Sequence, residues 1–487
     1  MVAAKLESPP HETDDPPRLF GTDGIRMVVG RELTPSFVTE VAAAVGTYLE
    51  GSGEVLIARD FRTSSEAMAR ILGGTLLLEG VDVCELGSMP TPCLQYNIRA
   101  LGAQMGLTVT ASHNPTEFNG IKVTGPEGME IPRDVEQIVE RAIAHRAFLP
   151  SSWERVGRLR ADGRGIDRYL DSIESRIDAA ATRAAGLPVV LDPGNGTSAV
   201  TSPRLLREIG TRLITLNSNP DGHFPGRPSE PTEENLWALS RAVQAFSASL
   251  GVAHDGDSDR VAFVDEQGTY VPGDVTLALF AQMQLREHPG GTVVTSVTSS
   301  TLVDDVVRAE GGRLEITRSG SLPVARRICD THAIFGGEEN GGYYWPTHQI
   351  ARDGPMSSAK MVELLTRTGR PLSELVAELP RYHVAKTKVP LPAAFKAAVV
   401  ERVRDDLERE ADRLVTLDGV KAFYPDGWLL VRPSGTEPLC RIYGEARTRE
   451  PAQARMQHGV ELVERHLAAL RPPEPATTVR TPARRGR

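Results

Sequence analysis

The sequence predicts an α/β fold: three similar mixed-sheet α/β domains, then a smaller C-terminal α+β domain. Three observations carry this. Strand-like apolar runs alternate with amphipathic helical stretches over most of the chain, the mark of βαβ units. The run of strand, Gly-rich turn and helix start recurs at "LPVVLDPGNGTSA", and a third block opens with "ASLGVAHDGDSDRVAFVDEQG". The chain has 487 residues, well past the size at which one hydrophobic core stops growing.

Taken in order, "LTPSFVTEVAAAVGTYLEG" predicts a helix with Thr34 as N-cap, Pro35 at its first position and Gly51 as its stop. Phe37, Val38, Val41, Val45, Tyr48 and Leu49 fall on one face at helical spacing. "EVLIARD" reads as a buried strand, "SEAMARILGGTLLLEG" as a helix, and "VDVCELG" and "MGLTVTAS" as strands. "TRLITLNSNP", "GGTVVTSVTSS" and "GRLEITRSGS" continue the pattern. Past Pro390 the character changes: "GVKAFYPDGWLLVRPSGTEPLCRIYGEAR" reads as antiparallel strands with tight turns, before the helix "PAQARMQHGVELVERHLAAL". The expected boundaries are a disordered segment 1–18, domains 19–150, 151–250, 251–380 and 381–470, and a disordered tail 471–487. The second domain is expected to end at an acidic loop.

Composition narrows the function classes. Net charge is −9, which argues against a nucleic-acid partner. It leaves room for small anionic substrates held by a local cluster of Arg and Lys. No apolar run reaches membrane-span length. Cys84, Cys93, Cys329 and Cys440 are too scattered for a disulfide framework, so a reducing cytoplasm is the expected setting.

Five polar loops carry candidate chemistry. In "TVTASHNPTEFNGIKVTG" a hydroxyl, an imidazole and an amine (Ser112, His113, Lys122) share one loop region between two strands. In "HDGDSDRVAFVDE", Asp255, Asp257 and Asp259 alternate, and crowded carboxylates call for a cation, with Mg2+ the natural one. An EF-hand is disfavoured because Arg260 occupies the position that needs Gly and the flanks "GVAH" and "VAFV" read as strands, not helices. Arg260 can hold a phosphoryl oxygen against the metal. "RPSGTEP" offers Arg432, Ser434, Gly435 and Thr436 as a phosphate cradle, and "GGEENGG" offers Glu338 and Asn340 to sugar hydroxyls. "FGTDGIR" and "ARDFRTSS" place Arg26, Arg59, Arg62, Ser64 and Ser65 where an anion is favoured. Each loop alone also reads as an ordinary polar turn. The chain has no G-x-S-x-G elbow around Ser112 and no G-x-x-x-x-G-K-[ST] loop, which disfavours a serine hydrolase and a P-loop kinase.

In combination and in this order, "FGTDGIR", "TASHNP…NGIK", "DGDSDR", "GEENGG" and "RPSGTEP" resemble the α-D-phosphohexomutase family, over roughly Leu19 to Leu470. The resemblance implies four domains around a central cleft and a phosphohexomutase interconverting hexose 1- and 6-phosphates through a bisphosphate. It implies that Ser112 carries the phosphoryl group and that Asp255, Asp257 and Asp259, with a phosphoserine oxygen, hold one Mg2+. Lys122 would be a general acid/base, His113 and Arg26 would support transfer, and Arg260 would contact the phosphoryl. Glu338 and Asn340 would hold the sugar, and Arg432, Ser434, Gly435 and Thr436 the non-reacting phosphate. Hexose 1,6-bisphosphate is the implied activator, and a monomer or homodimer the implied assembly.

The sugar loop departs from a common family pattern, with Asn340 and Gly342 where Ser and His often stand; it resembles an archaeal-type branch. Met27 follows "FGTDGIR" where Gly is usual, and Ser319-Gly320 stands for Val-Gly. Glucose or mannose phosphate is the expected substrate. Glucosamine phosphate is the rival, and an unusual sugar phosphate of secondary metabolism stays open. Intact Ser112, Lys122 and the Asp triad speak against a non-catalytic sugar-phosphate binder.

Overall fold

The computed structural model describes residues 18–21, 23–435 and 437–470. The disordered segments expected at 1–18 and 471–487 lie outside these, apart from Arg18. The chain divides into two compact units, one ending at Pro380 and one beginning at Arg381.

The first unit contains three sheets. The first runs in the order Ile25–Val28, Phe118–Thr124, Met105–Val109, Glu54–Arg59, Asp82–Ser88, Leu159–Ala161. The second runs Tyr270–Val271, Val261–Val264, Leu250–His254, Pro188–Asp192, Arg212–Thr215. The third runs Arg313–Thr317, Thr292–Ser296, Phe335–Gly337, Tyr343–Trp345, Gln349–Arg352. All three are mixed. In each, a strand paired in parallel with one neighbour runs into a polar loop, and the chain then returns antiparallel on its other side. The three loops so placed are 110–117, 255–260 and 338–342. Each leaves the carboxyl end of its strand, where α/β sheets present ligand sites.

Local chemistry sets the elements. The helix Pro35–Tyr48 starts where expected, and Thr34 Oγ1 accepts from Phe37 N at 3.2 Å. Its inner face (Val38, Val41, Val45) packs with Leu72 and Leu76 of the helix Ser65–Leu78 on Val55, Ile57, Leu107 and Val109 of the first sheet.

Two expected boundaries fall inside sheets. The strand Leu159–Ala161 pairs with Asp82–Ser88, so the first sheet reaches past residue 150. The strands Leu250–His254, Val261–Val264 and Tyr270–Val271 belong to the second sheet, so a cut at 250/251 would split it and assign the acidic loop to the wrong side. The reason is physical: a strand is placed by its hydrogen-bonded neighbours, which a linear reading does not supply.

In the second unit one antiparallel sheet runs His383–Pro390, Leu439–Ala446, Gly427–Pro433, Val420–Tyr424, Arg413–Val415. The helices Lys396–Leu407 and Arg449–Leu470 bury Val399, Val403, Leu462 and Val463 with Leu429, Val431 and Ile442 of the sheet.

Candidate active site

Ser112 is buried, with a left-handed φ of 50°. That conformation costs a non-glycine residue roughly 1–3 kcal/mol and persists only where neighbours fix it. Here Ser112 N donates to Thr110 Oγ1 at 3.0 Å, and the Ser112 carbonyl accepts from Arg62 at 3.0 Å. The hydroxyl is thereby aimed at Asp255, donating to Oδ2 at 2.9 Å, with His113 Nδ1 3.3 Å away. Gly256 is required at this approach, because a Cβ there would lie 2.4 Å from the Ser112 carbonyl oxygen.

Arg62 was expected to face an anion. Instead its guanidinium, which has five N–H donors, bonds Asp60 and the carbonyls of Ser112, Asn114, Pro115 and Phe118. It is a clamp on the serine loop. Ser64 and Ser65 likewise both accept from Asn119 Nδ2.

Asp255, Asp257 and Asp259 are buried, and one oxygen from each lies within 4.8 Å of the others. Among the described residues this is the one group of carboxylate, His or Cys side chains disposed to hold a metal ion. The donor set fits a hard divalent cation. Two of its buried oxygens, Asp257 Oδ1 and Asp259 Oδ1, have no hydrogen-bond partner among the described residues, and such acceptors are costly to leave unsatisfied.

The remaining oxygens are engaged. Lys122 Nζ reaches Asp257 Oδ2 at 2.7 Å, Asp259 Oδ2 at 3.1 Å and Asp23 Oδ2 at 2.7 Å. Thr91 Oγ1 donates to Asp257 Oδ2 at 2.6 Å, and the Arg260 amide donates to Asp255 Oδ1 at 3.1 Å. Arg352 donates to Asp259 at 2.6 Å and to Asp23 at 2.9 Å. Arg26 bonds the Asn114 side chain at 3.0 Å and pairs with Asp23 at 3.3 Å. Arg260 Nε stands 3.9 Å from Asp259.

The electrostatics follow from this packing. Burial alone would depress Lys122, but Asp23, Asp257 and Asp259 outweigh it and hold the ammonium charged. Burial likewise opposes ionisation of Asp23, yet Lys122, Arg352 and Arg26 bring it down to about 2. Asp259 is held well below the usual carboxylate range by Arg352, Lys122 and Arg260 against the cost of burial. Asp255 is pushed up by burial and by its two acidic neighbours. His113 is lowered to about 3 by burial and by Arg260 and Arg26, so its ring is neutral near pH 7.

The sugar-loop candidates divide. Glu338 is buried; its Oε1 accepts from Gly320 N at 3.0 Å, and its Oε2 has no hydrogen-bond partner among the described residues. Burial raises its pKa, which Arg352 counters. Asn340 is exposed, and its Oδ1 accepts from Gly342 N at 3.1 Å. The loop is pinned to the second sheet by Val261 N donating to Gly341 O at 3.0 Å.

The structure thus gathers Arg26, Ser112, His113, Lys122, the three aspartates, Arg260 and the Glu338 loop in one unit. Arg432, Ser434 and Gly435 belong to the other. There Arg432 Nε bonds Asp418 at 2.6 Å, and Ser434 Oγ accepts from Glu437 N at 3.1 Å. A Cβ on Gly435 would meet nothing within 4 Å among the described residues, and Thr436 lies outside them. Sequence reasoning missed Asp23, Thr91 and Arg352. Asp23 was visible within "FGTDGIR"; the other two stand in stretches without a charge pattern of their own.

Fold and site together define a phosphomutase, an isomerase. Four family models match in succession: phosphoglucomutase/phosphomannomutase alpha/beta/alpha domain I over residues 17–149, domain II over 167–268, domain III over 272–382, and the C-terminal domain over 387–461. A phosphoglucomutase/phosphomannomutase of Thermococcus kodakarensis is 41% identical over 454 residues, 92% of this chain and 99% of that protein. A probable phosphoglucosamine mutase of Pyrococcus abyssi is also 41% identical, over 92% of this chain and 98% of that protein. The crystal structure of a phosphoglucomutase/phosphomannomutase family protein from Burkholderia thailandensis superposes with a TM-score of 0.83 at 28% identity, covering 92% of this chain and 98% of that one. The chain belongs to the phosphoglucomutase/phosphomannomutase family, the α-D-phosphohexomutases. No helix among the described residues is long and apolar enough to cross a membrane.

Proposed function

We propose that the protein interconverts hexose 1-phosphate and hexose 6-phosphate, of the glucose or mannose type, with Ser112 as the phosphoryl carrier. The observation that carries this reading is the bond from the Ser112 hydroxyl to Asp255, within a buried cluster of three aspartates. A phosphoserine brings about −1.5 to −2 charges. It is untenable beside these carboxylates without cations, and Lys122, Arg260 and Arg26 stand around it.

Asp255, Asp257, Asp259 and an oxygen of phosphorylated Ser112 would hold Mg2+, which when bound neutralises charge on the transferring phosphoryl group. In the first half, a sugar hydroxyl attacks the phosphorus and the bond to Ser112 Oγ breaks; charged Lys122 gives a proton to the leaving oxygen and takes up the one the sugar hydroxyl releases. In the second, Ser112 Oγ attacks the other phosphate of the reoriented hexose 1,6-bisphosphate and the bond from phosphorus to the sugar oxygen breaks; Lys122 returns a proton to that oxygen and takes up the one the serine hydroxyl releases. The charged Lys122 found here is the acid form for that return. Arg260 and Arg26 would draw charge onto the phosphoryl oxygens, and neutral His113, 3.3 Å from the serine hydroxyl, would orient it.

Glu338 and Asn340 are the candidate contacts to the sugar, and Arg432, Ser434 and Gly435 to the phosphate that does not react. Free bisphosphate would serve as activator by recharging Ser112. Relatives of equal identity carry glucose/mannose and glucosamine names, so glucosamine phosphate is the rival substrate.

The test is intact-mass analysis with a substrate panel. Purified protein should carry one phosphoryl group at Ser112, transferable to glucose or mannose phosphate. Ser112→Ala should carry none and turn over none. An unmodified serine that hexose 1,6-bisphosphate cannot charge refutes the reading; preference for glucosamine 1-phosphate corrects only the sugar.

A further inference from the structure

Arg352 ends the outer strand of the third sheet and is buried. One of its terminal nitrogens donates to Asp23 Oδ2 at 2.9 Å and to Asp259 Oδ2 at 2.6 Å. The other lies 4.0 Å from Glu338 Oε2. These acceptors come from the N-terminal turn, the acidic loop and the sugar loop. Lys122 holds the same two aspartate oxygens from its own side. The opposite oxygens, Asp23 Oδ1 and Asp259 Oδ1, have no hydrogen-bond partner among the described residues, nor has Glu338 Oε2. The guanidinium therefore holds Asp23 and Asp259 by hydrogen bonds and sets its charge opposite Glu338 Oε2 at ion-pair distance, while each carboxylate keeps one oxygen without a hydrogen-bond partner among the described residues.

The space for this side chain is specified too. A Cβ on Gly342 would lie 2.4 Å from Arg352 Cδ and 3.0 Å from Cγ. The second glycine of the sugar loop and the arginine ten residues on form one unit.

We infer that Arg352 is a positioning residue for this reaction. It bonds the acidic-loop carboxylate Asp259 and sets a positive charge opposite the sugar-loop carboxylate Glu338, which draws the two loops to a set separation for sugar and phosphoryl group. It touches no reacting atom. The inference rests on the phosphohexomutase reading. A lysine at this position supplies charge without the planar fork. An uncharged chain of similar length supplies neither.

The experiment compares Arg352→Met, Arg352→Lys and Gly342→Ala with wild type. It measures glucose 6-phosphate binding by calorimetry in Mg2+ buffer, kcat and KM separately, and melting temperature. Arg352→Met should weaken binding about tenfold or more and lower kcat on the order of a hundredfold, since misplacement by about 1 Å costs that much. Arg352→Lys should recover part of both. Gly342→Ala keeps every charge but displaces the arginine, and should raise KM and the dissociation constant together. A purely structural role predicts a lower melting temperature with unchanged binding by the folded fraction, and that result overturns the inference. If Arg352→Met does not fold, a Gly342→Ala protein that binds and turns over like wild type overturns it equally. Failure of the mutase reading looks different: wild type itself would then bind no hexose phosphate, and both would fall.

Discussion

The acidic loop and the sugar loop occupy the same topological position, the return from a parallel strand to an antiparallel one, yet they are built on opposite terms. The acidic loop is buried and held from all three sheets of its unit. Thr91 and Ser112 bond it from the first, Thr197 from the second, and Arg352 and Gly354 from the third. The sugar loop is bonded by Gly320, Val261 and Thr298, but its tip closes on itself, Glu338 N to Gly342 O and Gly342 N to Asn340 Oδ1, and leaves Asn340 exposed. Charges that must not move during phosphoryl transfer are placed where reorganisation is prevented. Asn340, the proposed sugar contact, sits at an exposed turn tip that can change at little cost to the fold.

The comparison is broken most severely at Asp257. Its side chain accepts from Thr91 and Lys122 and keeps one further oxygen without a partner among the described residues, open to a cation. Asp257→Ala should lower kcat on the order of 10³-fold, at saturating hexose phosphate as well as below it, because the lost interaction is made to the transition state. Calorimetric titration with Mg2+ should show binding lost in parallel. A variant that regains full rate at high substrate concentration would mean that this carboxylate only helps substrate to bind.

A smaller effect tests whether the charge around the acidic loop is already balanced. Glu130 bridges to Thr124, on the strand that carries Lys122, and is pushed up to about 7 by burial and by Asp23, with Arg352 and Lys122 pulling the other way. A carboxyl with a raised folded-state pKa contributes stability that is complete below its unfolded value near 4.5 and is lost as pH rises through about 7. Glu130→Gln should therefore be more stable than wild type at pH 8, by on the order of 1–3 kcal/mol, with the gap closing toward pH 4.5. Urea unfolding at the two pH values measures it. A gap of equal size at both would show that packing, not protonation, sets the difference.

These two loops also explain what was legible in the sequence. Three aspartates at alternate positions, and a serine, a histidine and a lysine in one punctuated stretch, announce their chemistry because each cluster is local. Arg352 and Thr91 do not. Arg352 meets Asp23 across 329 residues and Asp259 across 93, and Thr91 meets Asp257 across 166. Only the packing of the three sheets and their loops against one another creates those contacts. Arg62 misled for the complementary reason: its position near a helix start suggested an anion, but the carbonyls of the folded serine loop take its donors. The helix Pro35–Tyr48 was legible to its first residue because cap and periodicity are local. The boundaries at 150 and 250 were not, because strand partners define them.

The mildest perturbation lies on the other side of the comparison. Asn340 is exposed, and its side chain supports one hydrogen bond within its own turn. Asn340→Ala should leave stability within about 0.5 kcal/mol of wild type, as surface changes do. If its amide reads a sugar hydroxyl, the variant loses about one hydrogen bond to the substrate, roughly 0.5–1.5 kcal/mol, which is a change of about two- to tenfold in KM. The loss should be unequal across glucose, mannose and glucosamine phosphates, since a contact that discriminates costs most for the substrate it favours. kcat should stay near wild type, because the bond is made alike in ground and transition states. A uniform fall in kcat for all three sugars would place Asn340 with the acidic loop in function despite its exposure, and the division between fixed chemistry and adjustable recognition would have to be drawn elsewhere.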